Sequence, residues 1–235
     1  MSENRERIQL IDALRGVSIL LMVLHHFGYD LVAFMGVPAY LIYNPLVETL
    51  QLIFASLFIF LSGASCIFSR NNLKRGVEIL LCGIAVTIVT YLFDKDAFVV
   101  FGILHFLGCA AIIYALIRPA LDKVKIHPVI WVILFIVSKI ALSRAYDIPH
   151  LWALGIYTDD FVSSDYFPIF PWIFMYLFGT WFGHIVVEKK LPEWFYSFKC
   201  DFFAAVGRRT LIIYLLHQPV IMGIIYLLKL IPAFS

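Results

Sequence analysis

Long apolar stretches alternate with short polar connections along almost the whole chain. Each approaches the ~20 consecutive apolar residues that an α-helix needs to cross a bilayer. Seven can be delimited, at 8–30, 46–68, 76–93, 98–117, 128–142, 167–187 and 210–230. The fifth is short and carries Lys139, which makes it the weakest of the set. No stretch alternates apolar and polar residues over the ~10 positions of a membrane β-strand. The predicted fold is therefore all-α, a polytopic bundle of about seven transmembrane helices. Pro38, Pro45, Pro119, Pro128, Pro149 and Pro192 fall near the ends of the stretches, where a missing N–H does least harm. Connections are brief apart from 144–166 and 188–209, and none reads as a flexible linker or a soluble module. Residues 1–235 are thus expected to form a single transmembrane domain.

Composition sharpens this picture. Hydrophobic residues make up 62% of the chain and charged residues 14%, against ~25% charged in an ordinary soluble domain. Such a chain lacks the polar atoms to cover a water-exposed surface. The formal charge of +2 is too small to suggest a nucleic-acid partner. Cys66, Cys82, Cys109 and Cys200 form no C-x-x-C pair, so neither a disulfide framework nor a metal site is expected. The first apolar stretch contains Asp12, Arg15, His25 and His26, unlike the core of a cleaved signal peptide. A compact chain of this kind suits a bacterial cytoplasmic membrane.

The placement of charge predicts orientation. The N-terminal segment and the second-to-third, fourth-to-fifth and sixth-to-seventh connections together hold 14 of the 18 basic residues. The positive-inside rule assigns that side to the cytoplasm. Asp30, Glu48, Asp94, Asp96, Asp147, Asp159, Asp160 and Asp165 fall on the other side. Seven crossings from a cytoplasmic N-terminus place the C-terminus outside.

Ionisable groups inside a bilayer are costly, which makes each a candidate for function. The first stretch holds Arg15 and His26, 11 residues apart. On a helix that spacing puts them on one face, within ~20° and ~16 Å apart along the axis. His217 precedes Gln218 and Pro219 in the last stretch, and the proline leaves the Leu215 carbonyl without its helical donor. His105 lies between Gly102 and Gly108, small residues that let neighbouring helices approach. Satisfied polar contacts between helices would account for any one of these histidines. Asp165 precedes Phe167-Pro168-Ile169-Phe170-Pro171-Trp172 at the outer start of the sixth stretch.

Several segments resemble, in chain order, the heparan-α-glucosaminide N-acetyltransferase family of membrane acyltransferases. They are Leu10-Ile11-Asp12-Ala13-Leu14-Arg15-Gly16, Leu57-Phe58-Ile59-Phe60-Leu61-Ser62-Gly63-Ala64-Ser65 and the run from Gly102 to Gly108. Phe178-Gly179-Thr180-Trp181-Phe182-Gly183 and Leu211-Ile212-Ile213-Tyr214-Leu215-Leu216-His217 complete the set. The Arg15-to-His26 spacing also resembles the first-helix motif of the wider transmembrane acyltransferase group. The resemblance implies transfer of an acyl group, expected to be acetyl, from cytoplasmic acyl-CoA to an acceptor at the outer face. An amino sugar or cell-envelope glycan would be that acceptor.

The charges of CoA call for basic groups on the cytoplasmic side, where Arg15, Arg208 and Arg209 are placed to receive them. His26 is then expected to act as general base, or to carry the acyl group itself. His217 or His105 would polarise the thioester or orient His26. Asp30 and Asp165 would hold the acceptor. Partners are the lipid bilayer, acyl-CoA and a sugar, and a homodimer is compatible with the sequence. Two other classes fit the same residues less well. A transporter or channel would line a pathway with them, and a b-type haem protein would ligate iron through two of the three histidines.

Overall fold

A computed structural model describes residues 8–95, 98–124 and 126–231. The orientation signals at Arg5, Arg7, Asp96 and Lys125 lie outside the described residues. Nine α-helices are described: α1 (Gln9–Met35), α2 (Pro45–Cys66), α3 (Asn72–Phe93), α4 (Ile103–Leu121), α5 (Pro128–Ala141), α6 (Ile169–Val187), α7 (Glu193–Ser197), α8 (Asp201–Gly207) and α9 (Thr210–Lys229). Among the described residues the only β pairing is an isolated parallel bridge between Phe101 and Tyr166.

The expected all-α membrane architecture is present. Helices α1, α2, α3, α4, α6 and α9 are long and apolar enough to cross a membrane. The fifth predicted stretch forms α5, whose 14 residues rise only ~21 Å against ~30 Å of hydrocarbon. Local chemistry sets the boundaries. Asn44 Oδ1 accepts from the amides of Leu46 and Val47, each at 3.1 Å, just before Pro45 opens α2. Asn71 Oδ1 accepts from Lys74 N at 2.9 Å and starts α3. Gly36, at φ 70°, turns the chain out of α1 in the left-handed conformation that glycine adopts without strain.

The chain divides into two compact units. One comprises Met1–Phe58 with Leu191–Ser235, the other Ile59–Lys190. In the first unit, α1 packs on α8 so closely that a Cβ on Gly16 would overlap the Phe203 carbonyl oxygen, and one on Gly207 the Asp12 carbonyl oxygen. Gln9 bridges the same pair, donating to Asp201 Oδ1 at 3.3 Å and accepting from Cys200 N at 3.2 Å. Helix α9 runs parallel to α1, because its successive residues Thr210, His217 and Gln218 meet Arg15, His26 and Asp30 in the same order.

In the second unit, α3 and α4 form an antiparallel hairpin in which Gly83 faces His105 and Gly76 faces Gly108 and Ile112. The end of α2 runs parallel to α6, with Phe60 against Gly179 and Ala64 against Gly183. Small residues bring backbones together here as membrane helices require, since lipid tails leave no hydrophobic drive for association. Trp131 stacks on Phe174 and Phe135 meets Trp172, which makes α5 antiparallel to α6. The Phe101–Tyr166 bridge ties the start of α4 to the start of α6, so α5 returns the chain to the end where α4 began.

Adding a single methyl group at Gly207 tests the α1–α8 contact. Gly207→Ala is expected to cost ~1–3 kcal/mol, as overpacking of a tight site does. Thermal unfolding of the detergent-solubilised protein checks it, and an unchanged melting temperature would contradict the close approach.

Candidate active site

The two histidines that the sequence placed on the first and last membrane stretches meet. His26 Nδ1 lies 3.0 Å from His217 Nε2, and His217 Nδ1 lies 2.5 Å from the carbonyl oxygen of Tyr214, one turn earlier in α9. A carbonyl oxygen can only accept, so His217 carries its proton on Nδ1. For a neutral ring, Nε2 is then the acceptor, and His26 must donate from Nδ1. Helix geometry and two hydrogen bonds thereby assign both tautomers and leave His26 Nε2 as the bare lone pair of the pair. The two ring centres are 5.0 Å apart, with His26 half-buried and His217 buried.

One turn further along α1 from His26, Asp30 is buried and accepts a 2.7 Å hydrogen bond from Gln218 Nε2. Toward the start of both helices, Arg15 Nη2 donates to Thr210 Oγ1 at 2.9 Å. Arg208 and Arg209 immediately precede Thr210 and are exposed. The three arginines are therefore gathered at the N-terminal end of the α1–α9 pair, and His26 lies ~16 Å further along α1. Sequence reasoning missed Gln218 and Thr210. Gln218 was open to notice as a second polar residue beside His217, whereas Thr210 has no such signal.

His105 and Asp165 belong to the other unit and are engaged there. His105 Nδ1 accepts from Gly102 N at 3.2 Å, so its proton lies on Nε2, 3.2 Å from Thr87 Oγ1. Thr87 in turn donates to the Val99 carbonyl at 2.7 Å. Both ring nitrogens thus serve the α3–α4 turn. Asp165 Oδ2 accepts from Ile103 N at 2.9 Å and caps α4. Nearby, Tyr166 donates to the Trp152 carbonyl at 2.6 Å, and burial, with Tyr157 adding to it, pushes its phenol above the ordinary range so that it stays a donor. At the far end of α6, Lys190 lies 2.5 Å from Glu188 and holds that carboxyl below its usual range.

A family model described as "Heparan-alpha-glucosaminide N-acetyltransferase, catalytic" matches residues 7–219, a region that includes Arg15, His26, Asp30, His105, Asp165, Arg208, Arg209 and His217. No curated protein and no solved structure matches the chain.

Replacing His105 orphans the Gly102 amide and removes the N–H that the Thr87 hydroxyl oxygen accepts. His105→Ala is expected to lower stability by ~1–3 kcal/mol, the usual cost of a buried polar group left without its partner. Thermal unfolding reads this directly, and no loss would show that the α4 turn does not depend on the ring.

Proposed function

The chain belongs to the heparan-α-glucosaminide N-acetyltransferase family, and on that premise we propose that it moves an acetyl group from cytoplasmic acetyl-CoA to a sugar acceptor at the outer face. The bare Nε2 of His26 is the observation that carries this reading. His26 takes the proton from the acceptor nucleophile as that atom attacks the thioester carbon. The carbon–sulfur bond breaks, and the departing CoA thiolate takes the proton back from His26. His217 keeps His26 Nε2 unprotonated in the resting pair, and its own bond to the Tyr214 carbonyl polarises it as charge builds on His26. This is the logic by which an oriented second group makes a histidine an effective base.

The arginine end suits the donor. Arg15, Arg208 and Arg209 offer guanidinium groups to the phosphates of CoA, and Thr210 holds Arg15 in place. The ~16 Å from Arg15 to His26 along α1 is a distance that the pantetheine arm spans. Helix order supports seven crossings with the termini on opposite sides, and the positive-inside rule puts the N-terminus in the cytoplasm. Parallel α1 and α9 require an odd number of crossings between them. Helices α2, α3, α4 and α6 supply four, so α5 supplies the fifth despite its length.

Purified protein in detergent, given acetyl-CoA with and without glucosamine, is expected to release free CoA thiol. His26→Ala is expected to lower the rate ~10²–10⁴-fold, the worth of a positioned acid–base group. Near-normal release from that variant would remove His26 from the chemistry. Arg15→Ala is expected to raise KM for acetyl-CoA more than it lowers kcat. A rise confined to KM for glucosamine would reverse the assigned direction of the donor path.

A further inference from the structure

The transfer chemistry above gives His25 no task. It lies half-buried in a membrane-spanning helix, and among the described residues neither of its ring nitrogens has a hydrogen-bond partner. An imidazole at membrane depth is costly, and this one adds no hydrogen bond to the fold. Its ring contact is His26, with the ring centres 6.0 Å apart and the planes at 56°. Consecutive helical residues point about 100° apart and ordinarily do not face each other, yet here the two rings are neighbours. One turn further along the same face of α1, Tyr29 is 46% exposed. Its ring meets that of Tyr43, in the connection between α1 and α2, at 5.9 Å. His25 thus borders the reacting pair on one side and, through Tyr29, the exposed end of α1 on the other.

Two protons must leave an amine acceptor, while His26 has one bare lone pair. Near neutral pH an amine such as glucosamine enters as R–NH3+. The sum is R–NH3+ plus acetyl-CoA giving the N-acetyl product, CoA thiol and one released proton. One proton ends on the thiolate, and the other must reach water from between membrane helices. We infer that His25 is the relay residue for this second proton, acting through His26 and resetting its Nε2 within each turnover. The inference rests on the transfer reading above and deepens it. His26 Nε2 first takes a proton from R–NH3+, giving R–NH2 and an imidazolium. That proton passes to a ring nitrogen of His25, directly or through one water, and His26 is neutral again. His25 gives it to water on the Tyr29 side and returns to its resting form. The freed amine nitrogen then bonds to the acetyl carbon, and His26 Nε2 takes the second proton. As the carbon–sulfur bond breaks, that proton goes to the thiolate. His217 keeps its tautomer throughout, because the Tyr214 carbonyl holds its proton.

The test uses the full-length protein in detergent, with thiol release from acetyl-CoA measured at saturating glucosamine. His25→Ala is expected to lower kcat ~10²-fold, the lower end of what a positioned proton-transfer group supplies. Both KM values and the melting temperature are expected to stay at their wild-type values. His25→Gln keeps a polar side chain but cannot take up a proton, and it is expected to be as slow. Rising imidazole in the buffer is expected to restore kcat in both variants and to leave the wild type unchanged, because a soluble base then replaces the ring. A packing role would not respond to imidazole. Wild-type kcat in both variants would overturn the inference. So would a loss in His25→Ala that His25→Gln repairs, or one that imidazole leaves untouched, either of which would reduce His25 to a packing residue. No thiol release from the wild-type protein would instead sink the transfer reading, and the inference with it.

Discussion

The bond from His217 Nδ1–H to the Tyr214 carbonyl decides how the rest of the α1–α9 pair works. In water an imidazole can exchange tautomers freely, because solvent satisfies either nitrogen. Between packed helices there is less of that reserve, and a ring nitrogen that meets a protein partner keeps the role that partner sets. A carbonyl one turn back on the same helix is a partner that cannot change its role. The orientation then passes outward through one further hydrogen bond, to His26, and ends on a nitrogen with a lone pair. Tautomer, base and direction of proton flow all follow from that single acceptor.

The same reasoning separates residues of identical type. His105 also has a defined tautomer, yet both its nitrogens are occupied by the α3–α4 turn and Thr87. Asp165 and Asp30 differ in the same way, since one caps the first amide of α4 and the other holds a neutral side chain that demands no charge. What a polar side chain offers to function in a membrane helix is the part of its bonding capacity that the fold does not use.

Much of the fold was legible because hydrophobic run length is a direct consequence of bilayer thickness. Six stretches became long apolar helices, and the fifth, the one with Lys139, became the short α5. The alignment of Arg15 with His26 was legible from helical periodicity. The pairing of His26 with His217 was not, because nothing in a linear pattern says which two helices touch or in which direction they run. Gly16 and Gly207 carry part of that information, but their mutual approach depends on α8, a seven-residue helix in a connection that the apolar pattern leaves blank. Likewise, the capping by His105 and Asp165 joins positions about 60 residues apart or hides within one turn.

The ~16 Å between Arg15 and His26 has a chemical consequence as well as a geometric one. Phosphate recognition needs strong charge and tolerates water, so it belongs near the membrane surface, where Arg208 and Arg209 are exposed. Thioester chemistry needs the opposite, because water competes with the acceptor for the acetyl group. In the proposed reaction one helix would serve both, with the cation at its start and the base three turns on. The separation is fixed by 11 residues of backbone hydrogen bonding and not by side-chain packing. On the proposed reading a donor that bridges the two ends would be measured by length, since a shorter thioester anchored at Arg15 would stop short of His26.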